Sequence, residues 1–173
     1  MDQTAPSRPM TPHDAPNHDA RAFRGLLGHY PTGVCAITAT DTAGRPVAPP
    51  VGSFTSVSLD PPLVGFLPAK SSATWPLLRA AGRFCANILS AEQADLCAQL
   101  SRRSGDRFAG LDCGLSPLGN PILPGVVAWV DCAITAVTDA GDHDFVLGRV
   151  EGMATGNGGP PLVFHRGVLR RVA

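Results

Sequence analysis

Short runs of apolar and β-branched residues, separated by glycine- and proline-rich turns, dominate the hydrophobic pattern of this chain. Runs of this length and composition are typical of strands. Turn residues at 41–44 and at 139–142 are expected to join neighbouring runs as antiparallel hairpins. The two prolines of 48–51 are expected to interrupt the first sheet ladder, because proline cannot donate a hydrogen bond. The pattern predicts strands at 34–40, 52–62, 63–67, 83–89, 126–137, 145–153, 162–164 and 168–172.

A helical spacing of apolar residues replaces this pattern in three places. Ser90 and Gln93 form a capping box, a common start of a helix. Gly82 stands where a glycine would cap the end of another helix. The predicted helices run from Asp19 to a Pro31–Gly33 stop, from 70–76 to about Ala81, and from Ser90 to about Arg102.

Two regions of the chain differ in character. Residues 1–18 carry four prolines among polar residues, and they predict a disordered N-terminal tail. Residues 19–173 are long enough to form one domain with its own core. Strands joined by turns and interrupted by two or three helices indicate a mainly β fold, an antiparallel barrel with the helices packed outside.

The predicted strand at 52–62 has hydroxyl groups on both faces. Alternation would point Thr55 and Val57 to one side and Ser56 and Ser58 to the other. A hydroxyl buried without a partner costs about 1–3 kcal/mol, so a strand that only fills a core would carry aliphatic side chains instead. Two interpretations stay open: a half-exposed strand in contact with water, or a strand that contacts a polar ligand.

A second polar segment begins at Lys70 and continues through Ser71, Ser72 and Thr74. Hydroxyl groups and a lysine beside the start of a helix can bind an anion. The same residues can serve simply as helix N-caps, and their spacing alone favours that interpretation.

Composition excludes several classes of function. Fourteen basic residues balance 14 acidic ones, which gives no support for a nucleic-acid or membrane partner. No apolar run has the length of a membrane span, and the N terminus does not resemble a signal peptide, so a cytoplasmic location is expected. Five dispersed cysteines predict buried free thiols, and the five histidines have no ligand spacing, so no metal site is expected. No Rossmann, phosphate-loop or nucleophile-elbow motif is present, so any dinucleotide would bind without a Rossmann unit.

Eight short motifs, in order from about Phe23 to Gly167, together resemble the flavin reductase-like family with its FMN-binding split barrel. Each motif is weak alone, but the complete series in the same order is strongly specific. The motifs are Pro31–Val34, Ser53–Pro62, Ser71–Trp75, Phe84–Leu89, Asp106–Phe108, Gly141–His143, Gly148–Val150 and Pro161–His165.

The resemblance implies an antiparallel split β-barrel and a homodimer that binds FMN or FAD. It also implies that NADH or NADPH reduces the flavin, which then diffuses to a flavin-dependent monooxygenase partner. Hydride transfer from nicotinamide to flavin N5 mainly requires that the two rings be stacked. Two alternatives stay open: an oxidoreductase that retains FMN and acts on a dedicated small molecule, and a non-catalytic flavin-binding domain.

The same resemblance assigns roles to individual residues. It implies that His143 lies near the nicotinamide or the flavin, although a surface-turn histidine between two aspartates is the simpler interpretation. The chain departs from the family at 48–52, where Pro50 removes an N–H donor and Gly52 a side chain. Flavin affinity and the choice between FMN and FAD therefore stay open. The implied cofactor-binding residues are Thr55, Ser56, Val57 and Ser58 along the ring and ribityl chain, and Ser71, Ser72 and Thr74 at the phosphate, with Lys70 and Arg107 as candidate charge partners.

Overall fold

The computed structural model describes residues 19–172, and the predicted disordered tail at 1–18 lies outside the described residues. The helices in this range are α1 (Ala20–Leu27), α2 (Trp75–Ala81) and α3 (Ala94–Leu100), the last preceded by a 3₁₀ turn at Ala91–Gln93. The strands are β1 (Thr32–Gly33), β2 (Cys35–Thr40), β3 (Pro46–Val47), β4 (Pro50–Val51), β5 (Thr55–Leu59), β6 (Pro62–Phe66), β7 (Arg83–Ile88), β8 (Gly114–Leu115), β9 (Pro121–Ile122), β10 (Ala128–Ala140), β11 (His143–Thr155), β12 (Leu162–His165) and β13 (Val168–Arg171).

Every pair of strands in the described range is antiparallel. The main sheet has eight strands in the order β3-β2-β7-β10-β11-β6-β5, with β4 also paired to β2. A second sheet has the order β1-β12-β13, and β8 pairs with β9. The predicted fold class, mainly β with antiparallel sheets and a few peripheral helices, is confirmed.

Aromatic side chains fill the core between the main sheet and α2. The rings of Phe66 and Phe84 lie 5.0 Å apart edge to face, and the ring of Trp75 lies 6.2 Å from Phe66. Gly148 on β11 has no side chain because a Cβ there would come within 2.7 Å of the Phe84 ring. This packing holds the start of α2 against the sheet.

The helix signals are confirmed, with one shift in position. Asp19 caps α1 by accepting a hydrogen bond of 2.5 Å from the backbone N–H of Arg21. Both bonds of the capping box at Ser90 and Gln93 form. Gly82 ends α2 at a positive φ of 67°. The second helix, however, begins at Trp75, and the preceding residues form turns.

The predictions for β4 and β5 need correction. A bulge between Ser56 and Ser58 breaks the simple alternation in β5, so Ser56 is exposed and Ser58 is half-buried. The interruption at 48–51 is shorter than expected, because Pro50 and Val51 pair with β2. A proline nitrogen cannot donate a hydrogen bond, but its carbonyl still accepts one: Ile37 N–H donates to Pro49 O at 3.0 Å.

The cysteines are free, as predicted, and four of the five are buried, while Cys113 is half-buried. Burial, with the nearby Asp131 carboxylate, raises the pKa of Cys85 to about 12, so this thiol stays protonated at neutral pH. None of the helices within residues 19–172 has the length and apolarity needed to cross a bilayer.

Candidate active-site cleft

Two adjoining cavities open between the 49–53 segment and the start of α2. The first, of about 380 Å³, is called here the His143 cavity. The second, of about 700 Å³, is called the arginine cavity. They share Pro49, Pro50 and Ser72. The other residues of the His143 cavity are Val51, Gly52, Ser53, Leu67, Pro68, Ala69, Trp75, Leu78 and His143, and those of the arginine cavity are Ser71, Ala73, Thr74, Leu100, Ser101, Arg103 and Arg107.

Side-chain hydrogen bonds hold the residues of the arginine cavity. Arg107 donates to the Thr74 hydroxyl at 3.3 Å, and Thr74 makes no capping bond to α2. Gln99 of α3 donates to the carbonyl oxygens of Arg107 and Ala109, each at 3.0 Å, which fixes the loop that carries the guanidinium. Thr74 therefore acts as a partner of Arg107, although its spacing favoured a simple cap.

The arginine cavity carries net positive charge. Arg103 is exposed and Arg107 is half-buried. Within residues 19–172 neither guanidinium forms an ion pair with a carboxylate. Two uncompensated guanidinium groups among serine and threonine hydroxyls are a donor set that fits a phosphate group.

The His143 cavity is mostly apolar. Trp75 Nε1 donates to the buried Asp144 carboxylate at 2.7 Å, which fixes the indole ring as one wall. His143 begins β11, its side chain is 40% exposed, and its Nδ1 lies 2.7 Å from an Asp142 carboxylate oxygen. This hydrogen bond lowers the pKa of Asp142. His143 therefore contacts a cavity as well as solvent, and the cavity fits a flat ring with few polar groups.

The position of the 52–53 segment explains why Gly52 has no side chain. A Cβ at Gly52 would lie 2.7 Å from the Thr32 hydroxyl. Next to it, Ser53 Oγ accepts a bond of 3.0 Å from Leu67 N–H and donates one of 3.3 Å to Leu67 O. The close approach of this segment to β1 therefore favours glycine at this position.

Lys70 lies outside both cavities. Its ammonium group donates to the Asp139 carboxylate, and to Gly141 O at 2.7 Å. The bond between Lys70 and Asp139 raises the pKa of Lys70 and lowers that of Asp139. The structure thus directs Lys70 to the β10–β11 turn and away from the arginine cavity.

Apart from Lys70, the predicted site residues fall into three groups. Thr55, Ser56, Val57 and Ser58 lie on β5, the edge strand, and line neither cavity. Ser71, Ser72, Thr74 and Arg107 come together in the arginine cavity, and His143 lies in the adjoining one. The sequence analysis missed Ser53, Ser101 and Arg103 as cavity residues.

Comparisons with known proteins identify the family of this chain. Residues 27–173 match the family model described as flavin reductase like domain. A flavin reductase of Pseudomonas putida is 49% identical over 86% of this chain and 88% of that protein. HsaB, a flavin-dependent monooxygenase reductase subunit of Rhodococcus jostii, is 45% identical over 86% of this chain and 76% of that protein. The solved structure of Streptomyces globisporus NADH:FAD oxidoreductase SgcE6 with NAD and FAD fragments is 33% identical, has a TM-score of 0.84, and is matched over 90% of this chain and 93% of that one.

Proposed function

Because this chain belongs to the flavin reductase-like family, we propose that it is an NAD(P)H-dependent flavin reductase that supplies reduced flavin to a separate monooxygenase. The similar proteins from P. putida and R. jostii bear names of this kind. A bound flavin supplies an acceptor at N5 for the hydride that nicotinamide C4 donates. The chain itself binds both rings, holds them in contact and excludes water from between them.

One observation carries this proposal: the two cavities adjoin, but they differ in chemistry. The arginine cavity offers Ser72, Thr74 and Arg107 to a phosphate, and the His143 cavity offers apolar walls to a ring. A flavin nucleotide has a phosphate at one end and a planar ring at the other. The residues present therefore fit such a ligand placed across the shared Pro49–Pro50 wall.

We assign the individual residues accordingly. Ser71, Ser72, Thr74 and Arg107, joined by Arg103, bind the phosphate. His143 lies at the ring end and positions the nicotinamide. Thr55, Ser56, Val57 and Ser58 extend the ring and ribityl contacts. The exposure of the first three on an edge strand that follows Ser53 of the His143 cavity supports this assignment.

The reductant in this proposal is NADH, and the flavin is FMN or FAD. SgcE6, a similar protein, bears the name NADH:FAD oxidoreductase. Both flavins carry the phosphate that the arginine cavity fits, so this cavity alone does not distinguish them.

A homodimer is also part of the proposal. The apolar face of α1 has no buried residue, and Leu26 and Tyr30 are 71% and 73% exposed. An apolar face of this kind on a single chain is typical of an interface. We expect sedimentation equilibrium to show a dimer and Leu26→Glu to shift it towards monomer. A wild-type protein that is monomeric at micromolar concentration would contradict the assignment.

Steady-state kinetics test the activity directly. NADH and NADPH oxidation is followed at 340 nm with FMN, FAD or riboflavin added to the purified protein. We expect turnover that saturates with free flavin and a preference for NADH. A protein that binds flavin but oxidises neither nucleotide with any flavin would exclude a reductase, and a tightly held flavin without such turnover would favour the FMN-retaining alternative.

A further inference from the structure

We infer that Lys70 is a positioning residue for His143 and does not bind the flavin phosphate. The inference rests on the proposed role of His143 at the nicotinamide, but its structural part can be tested without that role. Lys70 and the β10–β11 turn lie about 70 positions apart in the chain, and the fold brings them together.

Three bonds from Lys70 reach the turn that immediately precedes His143. The ammonium group donates to Gly141 O at 2.7 Å and to the Asp139 carboxylate. The backbone N–H of Lys70 donates to Asp142 O at 2.9 Å. These three bonds together are called here the Lys70 clamp.

Besides the clamp, the end of the β10–β11 hairpin is supported by contacts with the 68–70 segment and by the bond from Trp75 Nε1 to the Asp144 carboxylate. Strand β7 pairs with β10 only as far as Ala133, and β6 pairs with β11 only from Val146 onwards. Between these points the hairpin is a two-stranded ribbon, and an isolated ribbon is marginally stable. Its tip is held by the 68–70 segment, through a bridge between Ala69 and His143 and a bond of 3.1 Å from Asp144 N–H to Pro68 O.

The side-chain bonds of the clamp add to this backbone contact. Asp139 is 79% exposed and Lys70 is 39% exposed, so their ion pair contributes little to global stability. A bond that fixes a ribbon tip can nevertheless alter the position of the first residue after it, because local opening costs less than global unfolding. Loss of the two side-chain bonds of the clamp is therefore expected to change the position of His143, and with it NADH turnover, without unfolding the domain.

The ion pair between Lys70 and Asp139 also argues against phosphate binding by Lys70. Lys70 would have to leave the Asp139 carboxylate and Gly141 O to reach an anion in the arginine cavity. In that cavity Arg103 and Arg107 already supply uncompensated charge. The two roles of Lys70 therefore make different predictions for the flavin affinity of a protein that lacks Lys70, and for NADH turnover in a protein that lacks Asp139.

The test compares Lys70→Met with Asp139→Asn, which removes the same ion pair from its other side. We expect both variants to reduce kcat/KM for NADH by about 3- to 10-fold, because each loses one or two hydrogen bonds. The Kd for flavin should stay unchanged. The double variant should lose no more than Lys70→Met alone, because that substitution already removes both side-chain bonds. Lys70→Arg, which keeps the charge, should recover part of the loss.

A phosphate ligand would behave differently. If Lys70 bound the flavin phosphate, Lys70→Met would raise the Kd for flavin. Asp139→Asn would free the lysine from its ion pair, and flavin would then bind as tightly as to the wild type or more tightly. That result would overturn the inference. So would unchanged kcat/KM for NADH in both variants.

Hydrogen–deuterium exchange of the peptide spanning 139–145 supplies a readout independent of turnover. We expect faster exchange there in both variants and unchanged exchange in α3. If the wild type oxidises no nicotinamide, the proposed function fails, and the exchange result alone then decides whether the clamp exists. Unchanged exchange at 139–145 overturns the clamp whatever the kinetics show.

Discussion

The arginine cavity and the His143 cavity adjoin along Pro49, Pro50 and Ser72 but are built in different ways. The hydroxyl groups of the first come mainly from the short 71–74 segment, and its charge comes from Arg103 and Arg107, where Gln99 of α3 fixes the Arg107 loop. The second depends on a ribbon tip that carries His143 and on Gly52, which lies against β1.

This difference separates binding from positioning. An anion needs only cations and hydroxyls within reach, and a loop fixed by local bonds provides them. A transferred hydride needs two rings held in close contact, which depends on backbone segments far apart in the chain. We therefore expect changes in the arginine cavity to alter flavin affinity, and changes in the His143 cavity to alter use of the nicotinamide.

The largest expected effect is at Arg107. Arg107→Met removes a charged donor and should weaken FMN binding by about 10- to 100-fold, since a hydrogen bond to a charged group contributes about 1.5–3 kcal/mol. Quenching of flavin fluorescence measures the Kd. Arg149→Met is the matched control, because Arg149 pairs with Glu151 on exposed β11. Equal FMN affinity in the wild type and in Arg107→Met would show that the flavin phosphate does not bind in this cavity.

A smaller effect is expected at His143. His143→Ala should lower kcat/KM for NADH by about 10-fold while FMN Kd stays within about twofold, as for a group that assists the reaction without binding the phosphate. Stopped-flow measurement of the rate at which NADH reduces bound flavin tests this effect, and His165→Ala is the control variant. If turnover and the KM for NADH were both unchanged, His143 would be a surface histidine and the comparison between the cavities would fail.

A stability change is expected at Gly52. Gly52→Ala places a Cβ 2.7 Å from the Thr32 hydroxyl. Overpacking of this kind costs about 1–3 kcal/mol, so the midpoint of thermal unfolding should fall. Adding Thr32→Ala should restore much of the loss by removing the hydroxyl. A Gly52→Ala protein as stable as the wild type would show that Thr32 of β1 moves to accommodate the added methyl group.

The smallest effect concerns the wall that the cavities share. Ala36 faces Pro50 across the β2–β4 ladder, and the bond from Ile37 N–H to Pro49 O makes that pair a non-hydrogen-bonded one. The Pro50 nitrogen therefore points away from β2, and the Pro49 nitrogen points towards it. Within residues 19–172, β4 has no other strand partner.

Pro50→Ala should thus restore an N–H donor on the open side and tighten flavin binding by about threefold, the value of one neutral hydrogen bond. Pro49→Ala is the matched control, because its new N–H would face β2. Isothermal titration with FMN distinguishes them. If both variants changed the affinity for FMN equally, the cause would be the loss of proline rigidity and not the new N–H donor.

Much of the fold followed from local chemistry. Gly82 and the Ser90–Gln93 capping box marked helix boundaries because their backbone requirements are met within a few residues. The long hairpin was underestimated: β10 runs to Ala140 and β11 begins at His143. Alanine and aspartate have low strand propensity, and here the pairing of the two strands outweighs it.

The candidate site followed from the sequence only in part. Hydroxyls at Ser71, Ser72 and Thr74 lie close together because they are neighbours in the chain, and the resemblance joined Arg107 to them. Arg103 gave no signal, since an arginine after a helix is usually solvated. Alternation failed in β5 because the bulge between Ser56 and Ser58 is set by pairing with β6.

By itself, the sequence determined most of the segments that become strands and helices, where several of them stop, and which polar residues form local groups. These properties depend on backbone sterics and on hydrogen bonds within a few residues. Only the tertiary structure decided that Lys70 binds Asp139 and Gly141 O and that Gly52 lies against Thr32. A charged side chain has many partners of opposite charge along a chain, and only the folded arrangement selects one of them.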